Sequence, residues 1–344
     1  MPRKQPVWEP PPAVAKLTPK SSGNDVNGLG ESEPRPAKPF FWHEPKFHDW
    51  GELTLYTRRV MYDLEDGDAV REAFQMRSDG RGFKHRGPEP IPVAPERVEK
   101  PADEASAAVK EFALANDADV VGITGFRQEW VYEHFEFDAK NMIVLGVAHN
   151  YDEIAQAPSV PGNNRAIVEV ARQYTRGAVA AEKLANYIRS QGYEATSHPG
   201  PTASALLMIP AAIEAGLGEL GKHGSLINRK LGSSFRLSAV TTDMPLAHDV
   251  PDEFGGDEFC TRCQVCVDAC PPDAIFNEKQ WVRGDKKWYV DFDKCIPYFA
   301  ETRGCGICIA VCPWSRPGVA DNLVVKMARR RARRETQQSH ERTE

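Results

Sequence analysis

Eight cysteines carry the most legible chemistry in this chain. Cys260, Cys263, Cys266 and Cys270 stand before Pro271 in a C-x2-C-x2-C-x3-C-P run, the arrangement by which thiolates hold iron–sulfur clusters. A second block, Cys305, Cys308 and Cys312 before Pro313, repeats the run with its first cysteine displaced to Cys295, and no thiol lies outside the two blocks. In two-cluster ferredoxins the fourth cysteine of a run ligates the other cluster. That exchange gives a first 4Fe–4S cluster Cys260, Cys263, Cys266 and Cys312, and a second one Cys270, Cys295, Cys305 and Cys308. Spacers of two or three residues bend a loop around a cubane face, and the following proline stops the local hydrogen-bond ladder. Structural zinc takes paired knuckles instead, and disulfides belong to exported chains. Neither pattern matches a triple run closed by Cys-Pro.

A chain of 344 residues is too long for a ferredoxin and implies a larger domain beside the cluster module. Its 41% hydrophobic content can fill a core. The formal charge of −6 argues against nucleic acid as the main partner. No apolar run is long enough to span a bilayer, and the N-terminus, Met-Pro-Arg-Lys-Gln-Pro, reads as neither an export signal nor a twin-arginine leader. The expectation is a cytoplasmic protein.

Residues 1–45 hold ten of the 27 prolines and few aliphatics, a composition that predicts an extended or disordered arm. Its end, Phe40-Phe41-Trp42-His43, is aromatic enough to pack on the body. Residues 49–74 suit helices, and 80–95, with Arg81, Lys84, His85 and Arg86, reads as a loop. From Pro101 the texture is α/β: a helix over 105–116, a short strand over 118–124, and a nearly all-apolar strand over 141–149, as expected for one covered on both faces. In 165–192 apolar residues recur every three or four positions up to a C-terminal Gly192, the mark of a long amphipathic helix. A short extended piece over 193–197, a helix over 204–216 and a strand over 235–242 follow. The resulting organisation is an arm (1–45), a catalytic domain (46–247), a ferredoxin-like two-cluster domain (248–318) and a basic tail (319–344) with the run 329–334, read as solvated.

Gly216-Leu-Gly-Glu-Leu-Gly-Lys-His-Gly224 places four glycines in nine residues. It is neither a dinucleotide fingerprint nor a Walker loop, because Lys222 is followed by His223. Spacing alone admits a backbone cradle for a cofactor and, equally, a tight helix-to-strand connection. No Asp-x-His-x-x-Gly run for a histidine-ligated corrin occurs, and no Rossmann fingerprint. Two clusters in series form a wire, and these residues do not name its terminus.

A resemblance supplies one. Cys295-Ile-Pro-Tyr-Phe and Gly304-Cys-Gly-Ile-Cys-Ile-Ala-Val-Cys-Pro-Trp-Ser-Arg-Pro317 are similar to the second cluster segment of corrinoid-dependent reductive dehalogenases. The glycine run, Leu226-Ile-Asn, Arg236-Leu and Thr242-Asp-Met-Pro-Leu246 resemble the core those enzymes share with epoxyqueuosine reductases. The similarity covers roughly 105–317. It implies an α+β chain: a nitroreductase-like α/β domain binding base-off cobalamin, fused to the cluster module. It further implies cofactor contacts at Gly216, Gly218, Glu219, Gly221, Leu226 and Asn228. Carried over, the family's catalytic tyrosine falls on Tyr174, which could also be ordinary core, and its basic residue on Arg236, with Lys230 as second choice. The tyrosine would protonate the departing fragment with a cation beside it. The implied activity is removal of halide from an organohalide such as a halogenated phenol, with electrons from an external donor such as a ferredoxin or flavodoxin. Alternatives are an epoxyqueuosine-type reductase, whose aspartate acid has no counterpart at Gln173-Tyr174, a corrinoid-reducing accessory protein without dehalogenation, and a plain electron carrier.

Overall fold

The computed structural model describes residues 6–62, 67–77, 84, 86–200 and 205–341. Its centre is a four-stranded antiparallel sheet of β1 (Val120–Gly125), β2 (Asn141–Ala148), β3 (Ala195–His198) and β4 (Phe235–Thr242), in the spatial order β1-β2-β4-β3. β2 pairs with β4 along its whole length, from Asn141 opposite Thr242 to Ala148 opposite Phe235. Helices α1 (Gly51–Tyr62), α2 (Gly67–Ala73), α3 (Ala102–Ala115), α4 (Arg165–Ser190) and α5 (Met208–Glu214) belong to this part of the chain.

β2 is apolar at nearly every position because both faces of the sheet are covered. Ile143 and Leu145 point to α4, where Ala181, Leu184, Ala185 and Ile188 complete one core. Met142 and Val144 point the other way, to Ala211 and Ala212 of α5 and to Trp130 and Leu217. Two-sided burial therefore arises in an antiparallel sheet, where the alternation of side chains feeds two cores at once. The helix expected over 204–216 is shorter, Met208–Glu214, and Ser204 lies outside the described residues. Arg81 and His85 of the predicted 80–95 loop also lie outside them.

The cluster module adds α6 (Gly256–Arg262), α7 (Phe292–Glu301), a hairpin of Gln280–Val282 and Asp285–Lys287, and α8 (Ala320–Glu341). The N-terminal segment wraps it. Trp8 donates its backbone N–H to the Pro271 carbonyl at 3.0 Å and meets Tyr298 edge-on at 5.0 Å. Ser22 Oγ bonds Asp293 at 2.6 Å, and Asn24 Nδ2 bonds Asp291 at 2.8 Å. Phe40, Phe41 and Trp50 then bury themselves with Phe292 and Ile296 of α7. The segment is extended for much of its length, yet a few aromatics and caps tie it down where composition alone suggested disorder. The basic stretch likewise forms a helix rather than a loose tail. Met327 is buried, and Arg330, Arg331 and Arg334 converge on Glu258 of α6.

The α/β domain and the cluster module meet through backbone held too close for side chains. Within the α/β domain a Cβ on Gly218 would lie 2.0 Å from the Ile227 carbonyl oxygen, and across the junction one on Gly232, at φ +60°, would lie 2.1 Å from that of Trp314. Gly232→Ala combines the left-handed backbone with this clash and is expected to cost at least about 1–3 kcal/mol. Chemical denaturation of the purified protein against wild type measures it.

Candidate functional site

Tyr174 and Arg236 come together. Arg236 stands at the start of β4, paired with Val147 of β2 and beyond the end of β3, whose pairing with β4 covers Ala239–Thr242. Its guanidinium carbon lies 5.2 Å from the centroid of the Tyr174 ring, over its face. The apolar stripe of α4 that carries Ala178, Ala181 and Leu184 into the sheet continues to Tyr174, half-buried one turn before the core closes. Phe74 stacks on that ring at 6.1 Å, and Gly200 lies so near that a Cβ there would sit 2.6 Å from Tyr174 Cε1.

Both residues face a cavity of about 620 Å³ between the two parts of the molecule. Its α/β wall holds Tyr174, Arg236, His149, Tyr62 and Phe74, and its opposite wall holds Cys270, Cys295, Cys305 and Cys308. A second hollow of about 380 Å³ shares Trp42, Tyr174, Ser225 and Arg236 with the first and extends toward Leu206, Met208 and Leu226.

The polar groups of this wall are short of partners. His149 is buried, accepts or donates to Ser234 Oγ at 3.3 Å through Nδ1, and leaves Nε2 unbonded. Burial, helped by the Arg236 cation, holds its pKa well below the ordinary histidine value, so it is neutral at pH 7. Arg236 Nε is likewise buried and unbonded, as is His223 Nε2. Burial pushes Tyr62 up to about 12, keeping its phenol protonated. His149 and Tyr62 were not singled out from sequence as site residues. The signal for the first was a polar residue closing an otherwise apolar strand; Tyr62 had none.

The eight thiols gather in two sets. Cys260 is coupled to Cys312, Cys266 and Cys263, whereas Cys295 is coupled to Cys305 and Cys270. Cys308 senses Cys305, Cys295, Cys266 and Cys270 in that order, so it lies where the two sets meet. Burial pushes Cys260, Cys266 and Cys295 up to about 12 and Cys305 to about 11, with neighbouring thiols adding to it. Such thiols are protonated in the empty protein and must shed protons to ligate iron. The set containing Cys295 walls the large cavity, and none of the thiols of the other set does.

The glycine run makes a set of structural contacts of its own. Gly216 turns at φ +71° against the Val250 carbonyl. Glu219 accepts N–H bonds from Gly255 and Gly256 at 2.8 and 2.7 Å, and Asn228 bonds the Leu217 carbonyl and the N–H groups of Lys230 and Leu231. Gly221 packs on His223 and Ile227. Of the six candidate cofactor contacts only Leu226 lines either cavity at Tyr174, while Gly218 and Glu219 border a separate hollow on the far side. The other contacts from this stretch are His223, Gly224 and Ser225. Lys230, second choice for the basic residue, is exposed and outside the cavity.

Residues 259–315 match the 4Fe-4S dicluster domain, which gives the chain two 4Fe–4S clusters. Tetrachloroethene reductive dehalogenase from Desulfitobacterium hafniense is 33% identical over 223 residues, 61% of this chain and 39% of that protein. The enzyme of the same name from Sulfurospirillum multivorans is 33% identical over 258 residues, 61% of this chain and 50% of its own. Epoxyqueuosine reductase from Cyclobacterium marinum matches at 36% over only 122 residues, 30% of this chain and 36% of its own. Among solved structures, a catabolic reductive dehalogenase in complex with 3-bromo-4-hydroxybenzoic acid superposes with a TM-score of 0.64 at 25% identity, covering 75% of this chain and 38% of that one. A reductive dehalogenase whose structure suggests a mechanism for B12-dependent dehalogenation gives 0.63 at 25%, covering 78% and 42%. The chain thus spans half or less of the length of these relatives. With the mixed helix-and-sheet domain, the dicluster module and these likenesses together, the neighbours of this chain are reductive dehalogenases, which are oxidoreductases, and epoxyqueuosine reductases are its weaker relatives.

Proposed function

We propose that the chain is a cobalamin- and iron–sulfur-dependent reductive dehalogenase, replacing the halogen of an organohalide by hydrogen with two electrons and one proton and releasing halide. The observation that carries this reading is the shared cavity: Tyr174 and Arg236 stand on one wall and the thiols of the second cluster on the other. A group that takes electrons from that cluster and passes them to a molecule beside Tyr174 would sit in that cavity.

The residues present suit a corrin. Two adjoining hollows of about 620 and 380 Å³ offer apolar walls, and His149 Nε2, Arg236 Nε and His223 Nε2 are buried donors or acceptors without partners. Ser225 and Leu226 on the floor would hold the group from below, and Gly224 leaves room for it. When bound, the corrin supplies the electrons that break the carbon–halogen bond.

The chain's own residues do the rest. Tyr174 Oη donates the proton to the carbon fragment, with the Arg236 guanidinium held over the face of its ring. Arg236 also offers an anion-binding group. A halogenated phenol, ionised or bearing a carboxylate, suits that cation better than a neutral haloalkene, and one structural neighbour holds a brominated hydroxybenzoate. The wider fold is read as a nitroreductase-like domain (46–247) followed by a ferredoxin-like one (248–318). Cys260, Cys263, Cys266 and Cys312 are assigned to the first cluster, and Cys270, Cys295, Cys305 and Cys308 to the second. The loop 261–265 of the first cluster is largely exposed, and Arg329 and Arg333 of α8 lie exposed beyond Glu258. An acidic external donor such as a ferredoxin or flavodoxin would deliver electrons there. Eight free cysteines fit a reducing cytoplasm.

Anaerobic reconstitution with iron, sulfide and cobalamin, followed by a screen of halogenated phenols for halide release, tests the function; a protein that retains no corrinoid removes it. In the active protein Tyr174→Phe is expected to lower turnover on the order of 10²–10⁴-fold while the bound corrinoid's absorption spectrum is unchanged. Cys312→Ala should erase the paramagnetic signal of the first cluster and spare the second, and Cys270→Ala the reverse. Ligation by each block in sequence, without exchange, predicts the opposite pair of losses.

A further inference from the structure

We infer that Lys222 is the built-in counter-charge of the first cluster, and that it raises the reduction potential of that cluster alone. Lys222 is 1% exposed. Its backbone N–H donates to Cys260 Sγ at 3.4 Å, and its Nζ donates to the Cys263 carbonyl at 2.9 Å. The ammonium lies 5.1 Å from the centroid of the Trp288 ring. Both hydrogen bonds therefore end on ligands of one cluster, and the aromatic face closes the remaining side.

A buried ammonium ordinarily carries a carboxylate beside it, since an uncompensated charge is strongly disfavoured in the interior. Among the described residues Lys222 has none. The nearest candidates are spoken for. Asp257 bonds Lys279 at 2.7 Å and Trp288 Nε1 at 2.6 Å, and Glu219 accepts the N–H groups at the start of α6. What stands beside Lys222 instead is the thiolate set, and an iron–sulfur cluster held by four thiolates is a net anion. Adding one electron makes it more negative, so a fixed cation in a low-dielectric site favours the reduced form. An N–H bond to a ligand sulfur acts in the same direction.

The effect is selective. Both hydrogen bonds of Lys222 end on Cys260 and Cys263, and Lys222 does not line the cavity that Cys270, Cys295, Cys305 and Cys308 wall. The glycines before Lys222 explain how the chain brings it in. A Cβ on Gly218 would strike the Ile227 backbone and one on Gly221 the His223 and Ile227 side chains, and the turn packed in this way leads directly into Lys222 and its contact with Cys260. The Gly-Lys-His segment that resembled a failed phosphate loop thus has an anion to serve, held by cysteines.

The inference needs the two clusters but neither corrinoid nor substrate. Protein reconstituted with iron and sulfide alone is titrated potentiometrically under paramagnetic resonance, using Cys312→Ala to identify the first cluster's signal. Lys222→Gln keeps a donor for the Cys263 carbonyl and removes the charge. Its first-cluster midpoint is expected to fall while the second stays in place, and Lys222→Arg should remain near wild type. If Lys222→Gln cannot hold the first cluster but Lys222→Arg can, with both folded by circular dichroism, the counter-charge is supported in its strongest form. An unchanged midpoint in Lys222→Gln, equal movement of both clusters, an equal shift in Lys222→Arg, or loss of the first cluster in both variants overturns it. Because no organohalide enters the titration, its failure and that of the dehalogenase reading are separate results.

Discussion

The close backbone junction between the glycine run and the cluster module is the constraint on which everything else rests. Glu219 reaches across to the start of α6 and accepts the N–H groups of Gly255 and Gly256, which no intrahelical carbonyl can satisfy. Burial raises the pKa of its carboxyl, and those same N–H groups pull it back down. Three residues on, Lys222 meets Cys260 and Cys263. Further along, the Gly232 backbone abuts that of Trp314, two residues after Cys312, and Ser233 Oγ meets Ser315 Oγ at 2.8 Å. The first cluster's ligands are thereby locked to the strand that follows, β4. That strand starts with Phe235 and Arg236, so the lock also sets the distance from cluster module to Arg236.

The N-terminal segment closes the opposite side. Its aromatics pack against α7, which carries Cys295, and Trp42 continues from that packing into the wall of both cavities. A stretch rich in proline thus serves as a strap: φ is already restricted at ten positions, so ordering it loses less conformational freedom than ordering an average chain. Caps and rings supply the enthalpy that composition statistics cannot see.

Local patterns were legible where a single element contains the information. β4 runs from Phe235 to Thr242, the span read as a strand from sequence, and α4 runs close to the length of its apolar stripe. The cysteine spacing was equally plain, because cluster ligation is a local geometric demand. The sheet order was not legible. An apolar strand such as β2 reads the same whether helices cover a parallel or an antiparallel sheet. The cavity was still less so, since its walls draw on Trp42, Tyr62, His149, Tyr174, Arg236 and Cys305, which share no sequence neighbourhood. The glycine run shows the reverse problem. Its spacing suited a cofactor cradle and a tight packed turn alike, and here Gly216 and Gly218 lie against backbone carbonyls while Gly221 and Gly224 lie against side chains.

Arg236 shows how physical cost separates a packing residue from one that faces a ligand. The wall of a largely apolar cavity is an expensive place for a guanidinium whose Nε is buried, and an ordinary structural arginine there would be paired with a carboxylate. Arg236 instead lies over the Tyr174 ring, keeps Nε unbonded, and shares its wall with a histidine that burial and the cation itself keep neutral. A neutral imidazole does not repel the cation, and it cannot neutralise an anion in its place. The wall therefore presents the Arg236 cation, the phenols of Tyr62 and Tyr174 and the unbonded imidazole nitrogens of His149 and His223 toward a cavity that thiols also line. Hydrophobic packing alone would have replaced them. Their retention makes sense when a polarisable group and an anionic or electron-accepting molecule fill the space between, and the cation then gains the partner that the protein itself withholds.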